Sequence, residues 1–136
     1  LMAFVLDCSM TMAWVFPDEA SEFTDSLRES LLKDHAVVPA IWRIEVGNVL
    51  LVATRRGRIS SDDWPRIRDN LEALPIDVDP ESCGRVLESV LPIAYERKLS
   101  VYDAMYLEIA LRRGLPLATL DKELGAAGKK ARVEVL

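Results

Sequence analysis

The 136 residues predict an α/β domain in three layers, α/β/α, built on a central parallel sheet of four or five strands. Three observations lead there. Short apolar runs alternate along the chain with longer amphipathic stretches, the order that makes strand-helix-strand crossovers. The runs are apolar at consecutive positions, as strands covered on both faces are. Half of the residues are hydrophobic, enough for one core, and the length leaves no room for a second, so 1–136 reads as a single domain.

Residues 2–6 form the first expected strand, with Met2 as the candidate natural start. A short helical piece follows Ser9 and stops at Pro17. The next helix opens on Asp18 and Glu19, whose charge suits a helix N-terminus, and carries Phe23, Leu27 and Leu31 at i+4 spacing. The second strand is 36–38, bounded by Pro39. A strongly apolar helix spans 41–56 and closes at Gly57 after the basic pair Arg55-Arg56.

Ser60 or Ser61 caps a further helix, with Pro65 near its start and Trp64, Ile67 and Leu71 on one face. Pro75 ends it, and 76–78 is the third strand. Pro80 opens a helical region to about residue 98 that Pro92 should kink or divide. Ser100 starts the next helix, which ends at Gly114. The fourth strand is 117–119, a short helix covers 122–127, and 133–135 is the candidate fifth strand.

Four acids stand out against this pattern because each adjoins a segment that should be buried. Asp7 ends the first strand and Asp121 the fourth. Glu45 has Ile41, Trp42 and Val49 on its own helix face, and Asp103 has Leu99, Tyr106 and Leu107. A carboxylate taken out of water shifts its pKa, pairs with a cation or binds a metal. Parallel neighbouring strands open their carboxyl ends onto one crevice. Converged there, the four would make an all-oxygen site suited to magnesium or manganese. Simpler readings stand beside this one. Asp103 fits the third position of a capping box begun by Ser100, Asp121 fits a helix N-cap, and Asp7 fits a turn. Glu45, in mid-helix, has no cap or turn role.

The order strand-end Asp, helix Glu, helix-start Asp, strand-end Asp resembles the PIN-domain nucleases, and within them the VapC-type toxins of bacterial toxin-antitoxin pairs. The resemblance covers nearly the whole chain. It is carried by Val5-Leu6-Asp7-Cys8-Ser9, Glu45-Val46-Gly47-Asn48-Val49-Leu50 and Arg56-Gly57-Arg58-Ile59-Ser60, then by Val101-Tyr102-Asp103-Ala104-Met105-Tyr106-Leu107 and Leu117-Ala118-Thr119-Leu120-Asp121. It implies a PIN-like sheet, a metal-dependent endoribonuclease with Mg²⁺ or Mn²⁺ at Asp7, Glu45, Asp103 and Asp121, an RNA substrate, frequent homodimerisation, and a small cognate antitoxin.

The expected chemistry is hydrolysis of the phosphodiester by metal-activated water, leaving a 5′-phosphate and a 3′-hydroxyl. His35 is the one histidine, so a pair of imidazoles is not available to act as acid and base. Ser9, Asn48 and Thr119 are placed to orient the carboxylates through hydrogen bonds, though ordinary turn, helix or strand polarity explains them equally. Arg55, Arg56, Arg58, Arg66 and Arg68 are the densest basic stretch, for RNA phosphates, an acidic partner segment or simply solvent. Trp14, Trp42 and Trp64 read as packing. The Glu45 helix and the arginine-rich helix after it are the expected antitoxin and dimer surfaces.

Two other functions fit the first strand-end acid: an aspartate-based phosphoryl-transfer domain and a non-catalytic PIN scaffold. The phosphatase version of the former wants a second aspartate where Ser9 stands, and a receiver wants a later strand-end lysine that is not found. A formal charge of -5 argues against a protein that grips nucleic acid through a basic surface, but divalent ions held by the acids would offset most of it. Cys8 and Cys83 lack the spacing of a zinc site or a redox pair. No apolar run spans a bilayer and no basic leader precedes the first strand, so the expected location is cytoplasmic, with no membrane partner.

Overall fold

The computed structural model describes residues 3–136; the expected strand position at Met2 lies outside them. The chain runs β1 (Ala3–Leu6), α1 (Cys8–Val15), α2 (Glu22–Ser30), β2 (His35–Val38), α3 (Ile41–Arg55), α4 (Trp64–Glu72), β3 (Ile76–Val78), α5 (Leu91–Arg97), α6 (Val101–Arg113), β4 (Leu117–Ala118) and α7 (Lys122–Lys130). The four strands form one parallel sheet in the order β3-β2-β1-β4. Phe4, Val5, Leu6, Ala36, Val37, Val38, Leu117 and Ala118 are fully buried, as the consecutive apolar positions require. Edge strand β3 is more open, and Asp77 on it discourages pairing with another chain.

Handedness fixes the layers. The β1–β2 and β2–β3 crossovers step the same way across the sheet, so α1 to α4 share one face. The β3–β4 crossover steps back past both central strands and carries α5 and α6 to the other. The packing agrees: α1 touches α2 and α3, while α6 touches α5 and α7.

The fifth strand contracts to a single bridge between Leu117 and Val135, where Leu117 N–H donates to Glu134 O at 2.8 Å and Leu136 N–H donates to Leu117 O at 2.8 Å. The helix expected from Asp18 starts later. Pro17–Glu19 is only a 3₁₀ turn, and Ser21 caps α2 by a reciprocal pair with Thr24, at 3.1 and 2.8 Å. Ser60 likewise caps a 3₁₀ turn, Ser61–Asp63, that leads into α4. Pro92 divides its helical region as expected: lacking an N–H, it cannot serve the previous turn, and Val86–Val90 widens into a π turn before α5. Gly57 and Gly114 both take positive φ, 74° and 64°, to end α3 and α6.

One buried ion cluster was not foreseen. Asp79, just after β3, accepts from Arg112 Nη2 at 2.8 Å and Arg113 Nη1 at 3.3 Å. Arg112 also donates to Glu108 at 2.9 Å and Glu81 at 3.1 Å. It ties the end of β3 to the last turns of α6.

Candidate active site

In the sheet order the chain leaves β1 toward β2 on one side and arrives at β4 on the other, so the carboxyl ends of β1 and β4 border a topological switch point. The helix layers part there and leave a crevice. A cavity of about 340 Å³ occupies it, lined by all four expected acids, Asp7, Glu45, Asp103 and Asp121, together with Cys8, Ser9, Asn48 and Tyr106. No lysine or arginine lines it. His35 lies elsewhere, opposite Ala3 at the amino ends of the strands.

Asp7 is held most firmly. It is the N-cap of α1, with Oδ1 accepting from Met10 N–H at 2.9 Å. Ser9 Oγ–H donates to the same carboxylate at 2.8 Å, and the Thr119 hydroxyl donates to Oδ2. Each hydroxyl is set in turn by a backbone amide beyond β4: Leu120 N–H donates to Ser9 Oγ at 2.8 Å and Asp121 N–H to Thr119 Oγ1 at 3.0 Å. Ser9 and Thr119 thus orient Asp7 as expected and join the ends of two strands. Three donors leave Asp7 about one free lone-pair site of the roughly four a carboxylate offers. Asn48 reaches the cavity wall, but its side chain makes no hydrogen bond among the described residues.

The cap readings and the site readings prove compatible. Asp121 caps α7, accepting from Leu124 N–H at 3.0 Å, while lining the cavity. For Asp103 only half of the expected box forms. Its N–H donates to Ser100 Oγ at 3.1 Å, and among the described residues its carboxylate does not return a bond to the Ser100 N–H. The N-termini of α1, α6 and α7 therefore converge on one cavity, and their partial positive ends offset part of its charge.

That offset is incomplete. Burial pushes the Asp7 pKa up, with Asp121 adding repulsion, against the lowering by its three donors. Burial raises Glu45, with Asp103 and Asp7 repelling it and Tyr106 opposing. Burial raises Asp103 too, helped by Asp121 and Glu123 and opposed by the Ser100 hydroxyl. Cys8, on the same wall, is pushed up to about 12 by burial and by Glu45, Asp7 and Glu19, which keeps it a thiol. Carboxylates whose folded pKa is raised bind more protons folded than unfolded. The metal-free protein is therefore expected to lose stability as pH rises from about 4, the ordinary carboxylate value, through the raised values of Asp7, Glu45 and Asp103. Midpoint temperature against pH, with chelator and then with Mn²⁺, checks it; a metal-free curve flat across that range counts against the cluster.

Among the described residues no group of three acidic, histidine or cysteine side chains stands close enough to hold one ion. The donor chemistry nonetheless suits a hard dication: four carboxylates, oxygen only, on a wall with no lysine or arginine. Asp103 and Asp121 are partly exposed and carry two rotatable side-chain bonds with which to close on it.

Sequence reasoning passed over Tyr106, which it placed in the core beside Asp103. Its ring is buried, and its hydroxyl donates to Glu45 Oε1. The available signal was a phenol three residues beyond an acid on an otherwise apolar face. Trp42 is buried and Trp14 half-buried, as packing requires, whereas Trp64 is exposed; each indole N–H is satisfied, by Thr11 Oγ1, Thr24 O and Thr54 Oγ1 respectively. Of the five arginines, Arg58 pairs with Asp18 and Glu19, Arg66 with Asp63 and Arg68 with Asp69, whereas Arg55 and Arg56 form no ion pair among the described residues. A second cavity, about 470 Å³ and mostly apolar, runs between α3 and α4 past Trp42, Val46, Leu50, Trp64 and Leu71. No described helix is long and apolar enough to cross a membrane.

Comparison with known proteins identifies the family and the fold. The PIN domain family model matches residues 4–130. Ribonuclease VapC3 of Pyrobaculum aerophilum is 29% identical over 123 residues, 90% of this chain and 92% of that protein. Exonuclease VapC9 of the same organism is 37% identical over 91 residues, 64% of this chain and 62% of that protein. The crystal structure of PAE2754 from Pyrobaculum aerophilum superposes with a TM-score of 0.70 at 28% identity, over 93% of this chain and 79% of that one.

Proposed function

The chain belongs to the PIN domain family, and from that premise we propose that it is a metal-dependent endoribonuclease, the toxin of a type II toxin-antitoxin pair. The observation that carries the reading is the convergence of Asp7, Glu45, Asp103 and Asp121, drawn from two strand ends and two helix layers, on one cavity without a basic lining residue. The similarity to VapC-named nucleases supports it, and the α/β/α fold expected from the sequence is the one shared with PAE2754.

In this reading Asp7, Glu45, Asp103 and Asp121 hold Mg²⁺ or Mn²⁺. An ion held there would supply Lewis acidity toward water and the phosphoryl oxygens. The residues contribute order and exclusion. Ser9, Thr119 and Met10 N–H fix Asp7 in one rotamer, and Asp103 and Asp121 approach from helix N-termini. Those same N-termini favour a phosphate that bridges the mouth of the cavity. His35, the one histidine, sits at the amino ends of the strands, so a pair of imidazoles does not serve as acid and base here.

The α3–α4 cavity favours these helices as the antitoxin surface: its lining is mostly apolar and its charged members are Arg43, Arg68 and Glu72, which suits an amphipathic segment. Incubation of the purified protein with structured and single-stranded RNA is expected to give cleavage in Mn²⁺ or Mg²⁺, none in EDTA, and products that accept ligation through a 5′-phosphate. Cleavage undiminished by EDTA, or products ending in a 2′,3′-cyclic phosphate, would defeat the reading. Release of inorganic phosphate without RNA cutting would favour the phosphoryl-transfer alternative.

A further inference from the structure

Glu45 differs from Asp7 in how it is held. Three donors fix Asp7, whereas among the described residues one group donates to Glu45, the hydroxyl of Tyr106. A glutamate has three side-chain torsions to order, and a mid-helix position supplies no cap amide to help. Tyr106 is 1% exposed and sits on α6 three residues after Asp103, so its ring is anchored by the core while its oxygen reaches the cavity wall. A buried phenol needs a partner for its O–H, and this one spends it on an acid 61 residues away, on the opposite helix layer. Glu45 Oε2 accepts no hydrogen bond from the described residues, so one oxygen is pinned and the other is free.

We propose that Tyr106 is a positioning residue that sets the Glu45 carboxylate toward the ion site, so that a single helix, α6, presents one acid directly and orients a second through its phenol. The inference rests on the nuclease reading above and deepens it. One feature favours positioning over plain packing. Phenylalanine would fill the same core volume, so the hydroxyl has no packing duty. The link also crosses the switch point and holds the two helix layers in register where the cavity opens.

The test is Tyr106→Phe, read by circular dichroism, by calorimetric titration with Mn²⁺ alone, and by kcat and KM for RNA cleavage. The fold should be retained. Mn²⁺ affinity and kcat should each fall about 10- to 100-fold, the range seen when a group orienting a metal ligand is removed, with KM changed less than about 2-fold. In a Glu45→Gln background the added Tyr106→Phe should have no further effect, because the hydroxyl acts only through Glu45. Should Tyr106→Phe fail to fold, Glu45→Asp replaces it: the charge stays, one methylene is lost, and the same drop in Mn²⁺ affinity and kcat is expected. Wild-type Mn²⁺ affinity and kcat in the tested variant overturn the inference while leaving the nuclease reading intact, as does an equal loss in the Glu45→Gln background. A wild-type protein that neither binds Mn²⁺ nor cuts RNA removes both.

Discussion

If the proposed nuclease reading holds, Asp103→Asn, and separately Asp7→Asn, should lower RNA cleavage by at least about 10²- to 10³-fold, because either change removes a full charge from the carboxylates proposed to hold the ion. The fold should survive both. At position 103 the cap bond comes from the backbone N–H to Ser100 Oγ, so asparagine leaves it in place. At position 7 the new amide faces Ser9 and Thr119, whose hydroxyls can turn from donating to accepting. Because burial and neighbouring acids raise the Asp103 pKa, removing its charge relieves repulsion, and the metal-free Asp103→Asn protein should melt no lower than wild type. Added Mn²⁺ should raise the melting temperature of wild type more than that of the variant. Wild-type cleavage by either purified, folded variant would exclude that aspartate from the chemistry.

Arg112→Met should be the most destabilising single change away from the site, costing about 3 to 5 kcal/mol. The side chains of Asp79 and Glu108 are only 2% and 4% exposed, and Arg112 is the cation between them. Its loss strands two buried carboxylates, with only Arg113 at 3.3 Å left near Asp79. Burial pushes the Asp79 pKa up, but the Arg112 bond, the Glu81 N–H and the two guanidinium charges outweigh it and hold the carboxyl below its ordinary value. The pair therefore stabilises the fold fully above about pH 4 and ceases to as pH falls through the lowered value. Wild type and Arg112→Met should converge in acid and diverge near neutrality, as seen by chemical denaturation at several pH values. Parallel curves would show that Arg112 acts through packing alone. Asp79→Asn with Glu108→Gln in the Arg112→Met background should restore part of the loss.

The acids were legible because they break local rules. An aspartate closing a run such as Ala3-Phe4-Val5-Leu6, or a glutamate amid Ile41, Trp42 and Val49, stands out against its own neighbours. The sheet was legible for the same reason, in buried strands with no polar face. Interactions between distant segments were less so. Tyr106 fits an apolar helix face, and only the approach of α3 turns its hydroxyl into a ligand for Glu45. Asp79 and Arg112 lie 33 residues apart, and each alone reads as surface charge. The candidate fifth strand was drawn from Val133 and Val135, yet one bridge forms, because Arg132 at φ 65° redirects the chain just before it. The alternatives of cap and site for Asp121 were never exclusive, and Asp7, expected at most as a turn residue, is also a cap: one oxygen of each caps a helix while the side chain faces the cavity.

The neighbouring of β1 and β4 has a consequence for the timing of biosynthesis. Thr119 and Asp7, joined by a hydrogen bond, are separated by 112 residues, so a ribosome finishes most of this polypeptide before the two can meet. Any translation product that stops short of β4 lacks Asp121 and the hydroxyl that steadies Asp7, so its cavity stays incomplete however well its earlier segments fold. Completion of the candidate site in this architecture is thus a property of late, non-local closure.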